Sequence, residues 1–320
     1  MMNLKKIILL LVMILSLVIV SGCDSDDEIP DIYASIYPIE FIAKEIVDEE
    51  LTVKSIYPRG KDVHDHELNP KDIIKITKSK LLFYIGVGLE GMIEQSKDST
   101  LKNVPTISLS EGLDLIEINA EDIHDHHHHH GDGDVVFYDP HIWLDLYKMQ
   151  KMTQKVLDTI LETFELTAEQ IDLFKENAAN LIDEFKKLDK EYFEVLNSND
   201  IANKTIMVDH DAYIYWEARY GLERIRIRND NESTDAIPKD MIEKIEQAKE
   251  KKIKYICLTK NEIASSIADQ YRTQLGLGND AFLYLHHLAT ITAEEEKAGM
   301  DYLSLMQYNL EILDKALPRK

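Results

Sequence analysis

The sequence predicts an α/β protein of two lobes with mainly parallel sheets, joined by a long rigid backbone helix. Two observations carry this reading. Short β-type runs alternate with helical stretches in both halves of the chain, the pattern that builds parallel sheets covered by helices. Between the halves lies one long stretch of helical periodicity, with no glycine or proline until after Asn197.

In the first half, strands are expected at residues 32–36, 53–56, 81–85 and 104–107. Helical spacing appears at 38–47 and 70–78, and Asn69-Pro70 has the form of an N-cap followed by proline at the first helical position. The second half repeats the alternation, with strands at 205–208, 222–227, 255–258 and 282–285. Helices are expected there at 213–220, 238–251, 263–275 and 302–316.

The linking helix begins at Thr167-Ala168-Glu169-Gln170, which has the form of a capping box. Ile171, Phe174, Ala178, Leu181, Phe185, Leu188, Tyr192 and Val195 follow at steps of three and four. At 1.5 Å per residue the helix is about 45 Å long, enough to run the length of a lobe pair. A coiled-coil dimer is the competing reading, but aromatics at several seam positions suit packing on two lobes better than a regular zipper. A monomer is therefore expected.

The N-terminus runs from Lys5-Lys6 into an apolar stretch at 7–20 and then Ser21-Gly22-Cys23. That stretch falls short of the roughly 20 residues a permanent span needs, and the basic, apolar, small order is that of a secretion signal. Val20-Ser21-Gly22-Cys23 resembles a bacterial lipobox, with cleavage before Cys23 and a lipid on its thiol; an uncleaved membrane anchor is the alternative. The expected organisation is a lipoprotein signal at 1–22, an acidic lipid-anchored tether at 23–30, an N-terminal lobe at 31–166, the linking helix at 167–198 and a C-terminal lobe at 199–320. Such a protein sits outside the cytoplasm, anchored to the cell membrane. The only other cysteine, Cys257, lies in an apolar-leaning run and reads as a buried strand residue.

The formal net charge is −23, and removing the signal with its two lysines makes the mature chain two charges more negative. That field repels nucleic acid and raises the local cation concentration, although solubility alone would explain it.

All twelve histidines fall in five places: His64 and His66, a run within 124–130, His141, His210, and His286-His287. The run, with His124, His126, His127, His128, His129 and His130, belongs to a low-complexity loop at 110–138 flanked by Asp and Gly. Its composition is that of a purification tag, but its place in mid-chain argues against an artefact. It suits weak, multi-site Zn²⁺ collection rather than one rigid site. The other histidines follow expected strands or loops, and in open α/β sheets ligands bind at such junctions. Neutral imidazoles converging from separate elements are the commonest way to hold Zn²⁺.

The flanking residues carry a resemblance. Gly60-Lys61-Asp62-Val63-His64-Asp65-His66-Glu67, with Asn69-Pro70-Lys71-Asp72, resembles the first metal-ligand motif of zinc/manganese-type, zinc-uptake-like ABC transporter solute-binding lipoproteins. Asp139-Pro140-His141-Ile142-Trp143-Leu144-Asp145 resembles the second motif. His210-Asp211-Ala212-Tyr213-Ile214-Tyr215, ahead of Tyr220-Gly221-Leu222, is similar to the third. Asp301-Tyr302-Leu303, Met306 and Asn309-Leu310 fit the family's ending.

The resemblance implies pseudo-symmetric lobes, metal held in the cleft on His64, His141 and His210, and delivery to an ABC permease with its ATPase. Relatives often carry aspartate after the last strand. Here His286-His287 stands there, and His286 is the expected fourth ligand. An all-nitrogen set favours Zn²⁺, with Mn²⁺ the alternative cargo because it prefers carboxylate oxygen. Asp65, Glu67, Asp139 and Asp211 lie near these ligands and could orient a ring's second nitrogen or serve turns and caps. His66 is expected to pack where relatives carry an aromatic.

Two other functions compete. A zinc-dependent hydrolase would begin at His64-Asp65-His66, but Glu67, Leu68 and Asn69 break the His-x-His-x-Asp-His pattern. The sequence also has no His-Glu-x-x-His, nucleophile elbow or phosphate loop, so no enzyme is expected. A surface adhesin or metal buffer on the same fold remains open to the sequence.

Overall fold

The computed structural model describes residues 29–61, 63, 66, 68–118, 136–227, 239–261 and 266–320. The signal and lipidation calls at 1–22 and Cys23, the ligand His64, Asp65, Glu67, and the histidine run at 124–130 lie outside the described residues. Among the described residues no helix is long and apolar enough to cross a membrane.

The N-terminal sheet contains β1 (Ile32–Ala34), β2 (Val53–Ser55), β3 (Leu81–Tyr84) and β4 (Thr106–Ser108) in the order β2-β1-β3-β4, all parallel. Helices α1 (Tyr37–Val47), α2 (Pro70–Ile76) and α3 (Gly91–Ser96) make the crossovers. Asn69 caps α2 as expected: its side chain accepts from Lys71 and Asp72 N–H, and Asp72 answers the Asn69 N–H. A short antiparallel pair, β5 (Glu117–Ile118) and β6 (Phe137–Tyr138), then brackets the histidine-rich segment.

The C-terminal sheet repeats the winding. Here β7 (Thr205–Val208), β8 (Glu223–Arg226), β9 (Ile256–Thr259) and β10 (Phe282–Leu285) lie in the order β10-β9-β7-β8, again all parallel. In each sheet the first strand is flanked by the second on one side and the third on the other, with the fourth beyond the third.

Two helices join the sheets. The shorter, α4 (Leu146–Thr163), was not anticipated: Asp145 caps it by accepting from Tyr147 N–H at 2.8 Å, and Met149, Met152, Val156 and Ile160 form its buried face. The longer, α5 (Ala168–Leu196), opens on the expected Thr167–Gln170 capping box. It buries Phe174, Ala178, Leu181, Phe185, Leu188 and Tyr192, and its last inward residue is Leu196 rather than Val195. Phe185 stands edge-on between Phe41 (6.5 Å) and Tyr302 (5.7 Å), so the helix grips both lobes.

The remaining helices are α6 (Ile214–Tyr220), α7 (Lys239–Glu250), α8 (Ser266–Gln274), α9 (Ala293–Lys297) and α10 (Tyr302–Ala316). One apolar core runs from the N-terminal sheet through α4 and α5 into one face of the C-terminal sheet. A smaller one covers that sheet's other face. Strand alternation divides them: Val208 and Cys257 face the shared core, while Met207, Ile256 and Leu258 face the smaller one. Burial pushes the Cys257 thiol up to about 12, so it stays protonated and packs as an apolar residue.

Candidate metal centre

Three imidazoles from distant parts of the chain come together where the lobes face each other. His141 lies in the turn before α4, His210 two residues after β7, and His287 two residues after β10. The His141 and His210 rings meet edge to face at 5.6 Å between centroids, and His210 lies 6.1 Å from His287. His141 and His287 are buried and His210 half-buried.

The His141 ring is held by Asp139. Its Nδ1 lies 3.0 Å from Asp139 Oδ1, and its backbone N–H donates to the same oxygen at 2.9 Å. A carboxylate at Nδ1 holds the proton there and directs the Nε2 lone pair outward, the arrangement found behind metal-ligating histidines. Asp139 is thus an orienting group. Asp211 is engaged elsewhere, in ion pairs with Arg224 and, at 2.8 Å, with Arg226.

After β10 the two adjacent imidazoles are placed differently. The His286 ring is occupied on both sides: Nδ1 accepts the Leu288 N–H at 2.9 Å, and Nε2 faces Glu295 Oε2 at 3.4 Å. Asn309 fixes its backbone, accepting from His286 N–H at 2.7 Å and donating to His286 O at 2.8 Å. His286 is thus buried between these partners, and the neighbouring His287 ring is the one that lies against His210. Nδ1 of His287 accepts the Ala289 N–H at 3.2 Å. A neutral ring that accepts at Nδ1 carries its proton on Nε2, so ligation through Nε2 requires that proton to shift to Nδ1 and the Ala289 contact to loosen.

Aromatic hydrogen bonds tie the loops carrying His141 and His287 together. Trp143, two residues after His141, donates from Nε1 to His287 O at 2.7 Å, and Tyr302 Oη donates to Trp143 O at 2.5 Å. Tyr215 Oη donates to Asp139 O at 2.8 Å. His66 packs edge-on against Tyr57 at 5.9 Å.

Glu295 is a residue the sequence reading missed. Burial pushes its carboxyl up, but hydrogen bonds from His286, Lys260, the Thr292 amide and Asn261 outweigh that and hold it well below the usual carboxylate range. It caps α9 in a box with Thr292. The Thr292-x-x-Glu295 spacing was the available signal.

Among the described residues, no three His, Cys, Asp or Glu side chains already form a cage for an ion. The rings are neighbours, and Gly60 is held beside the same strand end: its N–H donates to Ile291 O (3.1 Å) and Thr290 Oγ1 (2.8 Å), just beyond His287.

The model of the ZnuA family, "zinc-uptake complex component A periplasmic", matches residues 32–316, nearly the whole described chain. The chain belongs to this family. Among its relatives, the zinc-binding protein AdcA of Streptococcus pyogenes serotype M6 is 28% identical over 291 residues, covering 88% of this chain but only 55% of AdcA. The chain thus spans about half the length of that relative. A manganese ABC transporter substrate-binding lipoprotein, PsaA of Streptococcus anginosus, is 24% identical, with 98% of this chain and all of PsaA covered. Among solved structures, the Zn(II)-bound ZnuA-like domain of Streptococcus pneumoniae AdcA superposes with a TM-score of 0.71 at 26% identity, covering 91% of this chain and 99% of that domain. These ZnuA-family neighbours share the two-lobed α/β architecture described above.

Proposed function

We propose that this protein binds one divalent transition metal, zinc foremost, in the cleft between its lobes and delivers it to a cognate ABC permease for import. The observation that carries the reading is His141, oriented by Asp139, ring to ring with His210 and through it with His287. His64, expected from its motif, completes the set. Four nitrogen donors suit zinc better than manganese. The zinc-binding name of AdcA agrees with this; the manganese name of PsaA marks the alternative cargo.

Each imidazole must bind as the neutral base, so capture is coupled to proton release and weakens in acid. A closed nitrogen shell also leaves no position for an activated water, which fits carriage rather than catalysis. The protein acts outside the cytoplasm, held at the membrane by a lipid on Cys23, and works as a monomer docking on the permease through its lobe surfaces. The loop with His124 to His130 collects zinc weakly and is dispensable for the tight site.

Isothermal calorimetry with zinc tests the proposal. One tight ion per chain is expected, lost or severely weakened in His64→Ala, His141→Ala and His210→Ala; undiminished tight binding in all three would sink it.

A further inference from the structure

The turn leading to His64 is clamped across the cleft to the strap that follows His287. Arg59 is the centre of the clamp. Its guanidinium donates to both oxygens of Glu40 on α1, at 2.5 and 3.0 Å, and to both oxygens of Glu296 on α9, at 2.9 and 3.3 Å. Glu40 is buried, with 3% of its side chain exposed, and Lys44 also reaches it at 2.8 Å. Isolated surface ion pairs contribute little, but a bidentate guanidinium anchored on a buried carboxylate has its geometry fixed before the second partner arrives.

Two backbone links reinforce the same place. Gly60 N–H donates to Ile291 O and Thr290 Oγ1, and Tyr37 N–H donates to Ala289 O at 3.2 Å. Gly60 makes its contact with φ at +71°, in the left-handed region where an added Cβ is strained. The N-lobe turn at 58–60 and the C-lobe strap at 289–296 therefore move together or must break these bonds. His64 lies four residues beyond the turn, and His287 two residues before the strap.

We infer that Arg59 is a positioning residue for metal retention: by bridging Glu40 and Glu296 it holds the turn at 58–60 and the strap after His287 together and slows release of the bound ion. The inference rests on the metal-binding function proposed above. The Arg59–Glu296 half is its weak side, because Glu296 is the exposed partner, with 48% of its side chain accessible. A docking partner or high salt that competes for Glu296 would loosen the clamp from outside without touching a ligand.

The test uses the full chain with zinc as the probe. Off-rates measured by stopped-flow chelator competition are expected to rise about fivefold in Arg59→Gln and somewhat less in Glu296→Gln. The double variant should be no faster than Arg59→Gln alone, since Glu296 acts through Arg59, and Arg59→Lys should restore part of the retention. High salt should speed release from the wild type and leave Arg59→Gln unchanged. In metal-free protein, amide exchange of peptides spanning Gly60 and residues 289–296 should quicken in both single variants.

Unaltered exchange in these peptides would overturn the clamp itself. Faster exchange with unchanged off-rates, or additive effects in the double variant, would overturn its role in retention. A wild type that takes up no zinc would instead defeat the proposed function, and with it the retention role, while the exchange experiment would still decide the clamp.

Discussion

The two sheets share one winding, and their switch points are furnished in opposite ways. In each, the strand order reverses between the first and third strands, where ligands enter open α/β sheets. In the N-terminal sheet that place, at the ends of β1 and β3, is filled from within. Glu90 accepts from Ser35 Oγ at 2.5 Å and from the N–H groups of Ile85 and Gly86 at 2.9 Å. In the C-terminal sheet the strand at the same place, β7, is followed by Asp209 and His210, and the imidazole lies against His141 of the other lobe. The same topology yields a buried, hydrogen-bonded glutamate in one lobe and an imidazole against another imidazole in the other, so the chemistry follows the side chains at the strand ends rather than the fold.

The two buried acids make the same contrast. Burial pushes the Glu90 carboxyl up to about 7, with three hydrogen bonds only partly offsetting it. Glu295 is buried too, yet Lys260 at 2.8 Å and the His286 ring keep it well below the usual range. A carboxylate with neutral partners holds a proton; one beside a cation does not.

The largest effects should come from breaking the C-terminal side. His141→Ala and His210→Ala should each lower zinc affinity by more than about a hundredfold, beyond the range seen for groups that only orient a ligand. Asp139→Asn, which leaves the ring but removes its carboxylate, should cost about ten- to a hundredfold in the same titration. His287→Ala should weaken binding, whereas His286→Ala should lower thermal stability and leave zinc stoichiometry at one.

On the N-terminal side, Glu90 predicts a pH effect on folding that needs no metal. With its native pKa near 7 and an ordinary value of 4.5, the folded protein keeps a proton that the unfolded chain has already released. Stability therefore falls as pH rises from about 4.5 to 7, by on the order of 3 kcal/mol from this group. Urea titrations across that window should show the decline in the wild type and a flatter profile in Glu90→Gln. Zinc affinity should change in the opposite sense, falling as pH drops through about 6 to 5, because imidazole must be neutral to bind.

The smallest effect on the tight site is expected from deleting residues 119–135. This should remove weak zinc binding seen in excess metal and leave the tight phase of the titration unaltered.

Much of this was legible in the sequence because it is written locally. The eight strands of the two main sheets were placed within two residues at each end, and the caps at Asn69 and Thr167 sit where their side chains predicted. The motifs around His141 and His210 named residues that do meet. What the sequence could not supply depends on separation along the chain. Glu90 meets Ser35 across 55 positions, and Glu295 meets Lys260 from the far side of β10. Nothing local to either glutamate announces that it is buried.

The choice between His286 and His287 is the sharpest case. They are adjacent and identical, and only the grip of Asn309 on the His286 backbone and the reach of Glu295 to its ring decide which one turns toward His210. Helix α4 is hidden in the sequence for a different reason: its first turn directly follows the Asp139–Asp145 motif, whose last residue, Asp145, is its cap.

The central claim is that cleft imidazoles, including that of His287, hold the ion. Zinc K-edge X-ray absorption on the protein loaded with one equivalent measures this directly. The account predicts four nitrogen neighbours near 2.0 Å with imidazole multiple scattering, one fewer in His287→Ala and no change in His286→Ala. A shell rich in carboxylate oxygen, or one that loses a nitrogen in His286→Ala but not in His287→Ala, would contradict it.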